Sequence, residues 1–206
     1  IISLASILRL WMLGSVPISF SDDEIREVYS SYSIAHTGRD LLGNFLPLVF
    51  KMDGANTFGQ IPIYIGSIFF LFLDLNPFTA RLPYALSSIA SIFFFYLIIK
   101  KLFNNNGIAL ASAFSASVSV WLIQLSRFAI EPDITLVFYF LGILGFLYAG
   151  NKTKWIIISM IIFFLAFYGY SAFKIFFMPL MLILLWYRFK ELNKKNILII
   201  LFTILV

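Results

Sequence analysis

Three carboxylates stand together behind a serine at Ser21-Asp22-Asp23-Glu24, directly after an apolar segment that runs from Ile1 to Phe20. A carboxylate in the hydrocarbon of a bilayer costs on the order of 3 kcal/mol. The cluster therefore belongs at a membrane surface or in a wet cavity, where it marks the candidate active site. Cations occur at comparable boundaries: Arg127 closes an apolar run and is followed by Glu131 and Asp133, and Lys174 lies near Tyr168 and Tyr170. Two structural explanations compete with a catalytic one. Ser21 with Glu24 fits a capping box, and acidic residues favour a helix N-terminus through the dipole; capping accounts for the local chemistry but not for the matching cations. A lone interfacial lysine such as Lys174 can simply extend its ammonium to the headgroups.

The elements that must position these groups are apolar. Of 206 residues 61% are hydrophobic and 12% charged, and the mean hydropathy is +0.95; a soluble domain of that composition would have an apolar surface. The expected fold is all-α, a polytopic transmembrane helical bundle. The net charge of +5 does not indicate nucleic acid, because the lysines sit in short clusters between apolar runs, where they act as topology signals. With no Cys there is no disulfide, no zinc–thiolate site and no thiol nucleophile. The chain begins without Met inside one apolar segment and ends inside another. It reads as a piece of a longer protein, truncated at both ends.

Apolar runs fall near 1–20, 61–75, 84–99, 107–125, 134–149, 155–170, 173–187 and 196–206. The longer ones approach the roughly 20 residues a helix needs to cross about 30 Å of hydrocarbon. One polar stretch, 21–60, is long enough to be an extramembrane loop, and it opens with an amphipathic helix whose apolar face is Ile25, Val28, Tyr29, Tyr32 and Ile34. By the positive-inside rule Lys100-Lys101, Lys152 with Lys154, and Arg188-Lys190-Lys194-Lys195 face the cytoplasm. The 21–60 loop, Ser126 to Asp133 and the Tyr170–Lys174 turn then lie outside. Parity requires one run not to cross, and 61–75, with Pro62 and Gly66, is assigned to a juxtamembrane or re-entrant helix. Nine of the ten acidic residues then share the outer side. Such asymmetry is expected of a face that does chemistry.

The order of short motifs carries a resemblance. Asp23-Glu24, His36-Thr37-Gly38-Arg39-Asp40, Gly43-Asn44-Phe45-Leu46-Pro47-Leu48, Pro62-Ile63-Tyr64, Asn76-Pro77-Phe78, Arg81-Leu82-Pro83 and Ser126-Arg127 follow one another over nearly the whole chain. In that order and spacing the sequence resembles the dolichyl-phosphate-mannose protein mannosyltransferase-like family. These are integral-membrane glycosyltransferases of the GT-C fold, related to the aminoarabinose transferase that modifies lipid A. The run from Tyr168 to Lys174, followed by Pro179, is similar to the family's aromatic turn with a cation.

The resemblance implies an N-terminal catalytic module over 1–206, with 21–60 as its first outer loop, in the plasma membrane. It implies transfer of a sugar, with inversion, from a polyprenyl-phosphate-linked donor to a hydroxyl of a protein, lipid or glycan acceptor on the outer face. Asp23 would be the general base and Glu24 would orient the loop or the acceptor; Arg127 would meet the departing lipid phosphate, with Lys174 and Arg81 as weaker candidates. Glu131 and Asp133 both follow the Ser-Arg pair as substrate-binding candidates and are not separated by spacing. Many relatives carry a Lys directly before the Pro at the position of Pro62, where this chain has Gln60-Ile61. No cofactor is implied for certain. Some relatives use a divalent metal and others do not, and His36 with scattered carboxylates is not a ligand set at recognisable spacing. A lone histidine of this kind is a loop hydrogen-bonder more often than a catalyst. A transporter or lipid flippase, or a non-catalytic membrane subunit, are the alternative classes; the first would place ionisable groups near mid-span in two Gly/Pro-broken halves.

Overall fold

A computed structural model describes residues 1–52 and 56–205. In chain order it contains α1 (Ile2–Leu10), α2 (Asp22–Thr37), β1 (Phe50–Met52), β2 (Asn56–Phe58), α3 (Gln60–Phe70), α4 (Pro77–Phe103), α5 (Asn106–Val118), α6 (Val120–Leu125), α7 (Pro132–Tyr148), α8 (Thr153–Phe167), α9 (Phe173–Arg188) and α10 (Lys194–Leu205). The fold is helical apart from one antiparallel hairpin, in which Phe50 is opposite Phe58 and Met52 is opposite Asn56. Residues 53–55, and with them Asp53 of the expected outer loop, lie outside the described residues.

Local chemistry explains where the longest helix starts and stops. Asn76 accepts hydrogen bonds from the Phe78 and Thr79 amides, Thr79 returns one from the Asn76 amide, and Pro77 occupies the first turn, where its missing N–H costs nothing. At the far end Lys100 and Lys101 complement the helix dipole and Asn104 adopts a left-handed cap. At 27 residues α4 is about 40 Å long. Among the described residues it is the helix long and apolar enough to cross a membrane by length and composition; α3, α5, α7 and α8 are shorter apolar helices.

Two apolar runs are interrupted. The segment expected as one span over 1–20 is helical only to Leu10, because Gly14 and Pro17 break it: Pro17 follows a cis peptide bond, and Gly14 packs so tightly that a Cβ would lie 3.1 Å from Phe78. The run at 107–125 divides at Ser119, where the backbone turns extended between α5 and α6. That break frees carbonyls at the end of α5, and Arg9 takes two of them. The 61–75 run forms an 11-residue helix, α3. At about 16 Å it is too short to cross the hydrocarbon alone.

One core joins α7, α8, α9 and α10 through Phe146, Ile156, Phe163, Met181 and Ile200, and a second joins α2, α3, α4 and α7 through Val28, Phe70, Ala80, Tyr84 and Ile134. Gly142 on α7 lets α8 close: a Cβ there would lie 2.8 Å from the Phe163 ring, and the Ser159 hydroxyl donates to the Gly142 carbonyl at 2.6 Å. Large apolar side chains also cover the outside, among them Phe176, Ile183 and Trp186 of α9, which is the surface a hydrocarbon solvent requires.

The helices define two ends of the bundle. At one, α2 meets the starts of α4 and α7. At the other, Lys101 of α4 lies over the Tyr148 ring of α7 at 4.9 Å, and Arg188 of α9 donates to the Phe146 carbonyl.

Candidate active site

The first turn of α2 is a capping box. Ser21 Oγ accepts the Glu24 amide at 3.3 Å, and Glu24 Oε2 accepts the Ser21 amide at 3.1 Å. The cap is only part of what Glu24 does. Its Oε1 accepts Arg81 Nε at 3.0 Å and the Ala129 amide at 2.9 Å, and Arg81 Nη2 reaches Oε2 at 3.5 Å. Glu24 and Arg81 are 0% and 1% exposed. This buried, charge-compensated pair fixes α2 to α4 and to the connection between α6 and α7. The rest of the Arg81 fork is spent on the Leu13, Pro17 and Ser19 carbonyls, and its guanidinium stacks 4.6 Å from the Phe20 ring.

Asp22 and Asp23, by contrast, are exposed. They differ in what they face. Asp23 is close enough to act electrostatically on both Glu27 and Glu131.

Arg127 is partly buried and clamps the segment that follows α1. Nη1 donates to the Leu8 and Arg9 carbonyls at 3.2 and 3.5 Å, and Nη2 to those of Trp11 and Val16 at 2.8 and 2.9 Å. Burial, and then the neighbouring Arg81, lowers its proton affinity below the usual guanidinium value. Two guanidiniums close enough to repel make this corner attractive to an anion. Ser126 beside it was expected at an accessible boundary, yet it is fully buried, its hydroxyl bonded to the Ile123 carbonyl.

The two acids that follow Arg127 separate cleanly. Glu131 accepts the Gly59 amide at 3.2 Å, and burial pushes its carboxyl above the usual range, with Asp23 adding to the shift and backbone hydrogen bonds opposing it. Gly59 is obligatory there, since a Cβ would lie 1.6 Å from the Gly169 carbonyl oxygen. Asp133 is buried in α7 at the Ser88 hydroxyl and is coupled to Arg9. Arg9, 0% exposed, donates to Ser88 Oγ and to the Ser117 carbonyl, both at 3.0 Å. Asp133 therefore faces the interior toward Ser88 and Arg9, whereas Glu131 meets Gly59 and lies within the electrostatic reach of Asp23.

Lys174 stands apart from this cluster. Its ammonium is exposed over the Phe167 and Tyr168 rings, at 5.3 and 5.9 Å from their centroids, an arrangement in which cation–π attraction holds it at the end of α8. His36 is exposed with its ring 4.3 Å from that of Tyr32. Among the described residues no group of three or more His, Asp or Glu side chains could hold a metal ion. Asp40 shapes the loop after α2: burial works against its charge, but hydrogen bonds from Asn44 and from the Leu42 and Gly43 amides hold its carboxyl below the usual range.

Three residues of this region escaped the sequence reading as members of the site. Arg9 is a lone arginine in an apolar run, which is itself a signal of a satisfied interior charge. Glu27 lies beside Val28 on the inward face of α2 and accepts the Tyr84 hydroxyl at 3.2 Å. Tyr84 lies among apolar residues and gave no pattern to read.

The sequence model of the family described as dolichyl-phosphate-mannose-protein mannosyltransferase matches residues 61–206, and the chain belongs to that family of membrane glycosyltransferases. No curated protein and no solved structure matches it. The matched span holds Arg81, Arg127, Glu131 and Lys174 but begins after the acidic cluster. The buried bonds from Glu24 to Arg81 and Ala129 are what attach Asp23 to it.

Proposed function

We propose that the chain is the catalytic part of a polytopic GT-C-type transferase that moves a sugar from a polyprenyl-phosphate donor to an acceptor hydroxyl on the outer membrane face. The observation that carries this reading is the division of labour in the first turn of α2. Glu24 is saturated with hydrogen bonds, whereas Asp23, the residue before it, is an exposed carboxylate within electrostatic reach of Glu27 and Glu131. A base needs an unspent lone pair on a rigid support.

In the proposed step Asp23 takes the acceptor's hydroxyl proton as that oxygen attacks the anomeric carbon. The bond from the anomeric carbon to the donor phosphate breaks, its electron pair passing to the phosphate oxygen, and the configuration inverts. The charge that develops on the phosphate needs fixed cationic donors in a low-dielectric site. Arg127, partly exposed and on the same corner as Arg81, supports that role; its Nη2 bonds to the Trp11 and Val16 carbonyls lie at the surface, where a phosphate can compete for them. Arg81 has every nitrogen committed and acts by holding Glu24. Lys174 would supply long-range attraction at the same end of the bundle.

The test is transfer from radiolabelled polyprenyl-phosphate sugars by the full chain in lipid, one sugar at a time. Release of polyprenyl phosphate that depends on acceptor and on Asp23 is expected. Donor binding without release would replace the enzyme with a lipid-binding or transport protein.

A further inference from the structure

Two glutamates on one face of α2 are buried to the same degree and built for opposite purposes. Glu24 has a guanidinium and two backbone amides around it, four hydrogen bonds in all. Glu27, three residues on and 1% exposed, has one: Oε1 accepts the Tyr84 hydroxyl, and Oε2 has no partner. An ionised carboxylate offers about four acceptor sites. Leaving most of them empty in the interior costs several kcal/mol.

No donor among the described residues reaches Oε2. Ser30 and Ser31, three and four residues later on the same helix, are each 1% exposed; Ser30 Oγ has no partner, and the Ser31 hydroxyl interacts with that of Tyr84. Gly66 of α3 closes over this spot: a Cβ there would lie 2.7 Å from Ser31 Oγ and 3.6 Å from the Tyr84 hydroxyl. The charged groups facing Glu27 are carboxylates. Asp23 comes from the preceding turn of α2 and Glu131 from the start of α7; α4 contributes Tyr84, while its Arg81 is spent on Glu24. Burial first, and then Glu131, pushes the Glu27 carboxyl well above the usual range, against the opposing effect of the Tyr84 hydrogen bond.

We propose that Glu27, with Tyr84, Ser30 and Ser31, is a proton-holding site beneath the active-site mouth, in which Glu27 is kept as the uncharged acid so that Asp23 remains the carboxylate that receives the acceptor's proton. The second half of this statement rests on the transferase reading above. Glu27 touches neither substrate nor reacting atoms and is a positioning residue. Its neutrality removes a negative charge from beside Asp23.

Infrared spectroscopy of the full chain in lipid reads the first half without any turnover. Carbon-13 labelling of the glutamate side chains separates a protonated glutamic acid from the buried Asp133, and a C=O stretch that moves with this label is expected at neutral pH, lost in Glu27→Gln and retained in Glu131→Gln. Retention of the label-sensitive band in Glu131→Gln keeps the proposal testable even if Glu27→Gln fails to fold. Absence of the band, or its persistence in Glu27→Gln, overturns the proposal. The pH–rate profile reads the second half: glutamine carries the same charge as the uncharged acid, so Glu27→Gln keeps the acid limb of the wild type, whereas an ionised Glu27 would have raised the proton affinity of its carboxylate neighbours and its removal would move that limb to lower pH. A limb moved to lower pH in Glu27→Gln also overturns the proposal. Undiminished transfer in Asp23→Asn would instead sink Asp23 as the base, and absence of any transfer by the full chain would sink the transferase reading, each while leaving the infrared band in place.

Discussion

The two ends of the bundle use positive charge in opposite ways. Where α2 meets α4 and α7, the cations are arginines drawn into the protein: Arg9 and Arg81 are fully buried, Arg127 is partly so, and all three spend their forks on backbone carbonyls, a serine or a glutamate. At the far end of α4, Lys100 and Lys101 are exposed, with ammonium groups over the Tyr96 and Tyr148 rings. Arg188 shows that chemistry rather than location decides this, since it lies at the lysine end and is nevertheless buried, donating to the Phe146 carbonyl and to Glu191. A planar fork can satisfy several acceptors at once and is weakly hydrated; an ammonium is a point charge that stays wet. Arginine here builds and lysine orients.

The comparison breaks first at Asp23, where the carboxylate end should prove functional and not merely structural. Asp23→Asn keeps the volume and a capping-competent side chain, so stability should change within about 1 kcal/mol. Transfer should fall by roughly two to four orders of magnitude, the worth of a positioned general base. Asp22→Asn, which alters a residue equally exposed, should be far milder. Turnover with an intact thermal transition checks both. If Asp22 matters and Asp23 does not, the base is one residue earlier than assigned.

Next in size is the buried pair. Removing either partner leaves an uncompensated interior charge, and Glu24→Gln or Arg81→Met should each cost about 3–5 kcal/mol. The double variant should lose less than the sum of the two, because neither charge is then stranded. Melting of the purified protein in lipid measures this, and strictly additive losses would mean that the two side chains act independently. Arg127→Ala ranks third. It removes hydrogen bonds to four carbonyls, two of them at the surface, and a loss of about 1–3 kcal/mol is expected, together with depressed turnover. Arg127→Lys should recover more stability than turnover if the fork meets phosphate.

Much of this division was readable from the chain alone. Hydropathy gave the succession of apolar elements, and Ser21 with Glu24 announced the start of α2 through capping chemistry, whereas the run read at 84–99 proved to be a helix that already starts at Pro77. What stayed hidden was pairing across the sequence. Glu24 and Arg81 are 57 residues apart, and nothing local distinguishes an acid that caps a helix from one that also anchors another. The same limit left Glu131 and Asp133 unresolved, since the difference lies in Gly59 and Arg9, elements distant along the chain. Interior breaks were missed for a related reason: the run at 107–125 holds no charge and no proline, and its division at Ser119 serves Arg9, whose demand for carbonyls is a tertiary fact.

The smallest effect is expected at the lysine end, and it sharpens the comparison because it asks for a minor structural consequence. Lys100 and Lys101 make no hydrogen bond or ion pair among the described residues; their side chains lie over aromatic rings and are otherwise wet. Replacing both with Gln should cost no more than about 1–2 kcal/mol, since only an exposed dipole interaction and two ring contacts are lost. Their worth lies instead in the direction of insertion, which is set by positive charge flanking the spans. A single cysteine at Lys101 in intact cells should resist an impermeant thiol reagent, while one at Ser171, exposed in the turn between α8 and α9 at the opposite end, should react. Ser126, buried beside Arg127, would report nothing about sidedness. Reaction at Lys101 and protection at Ser171 would invert the bundle. The acidic end would then face the cytoplasm, and the outer-face transfer proposed for Asp23 would have to be abandoned even if its chemistry survived.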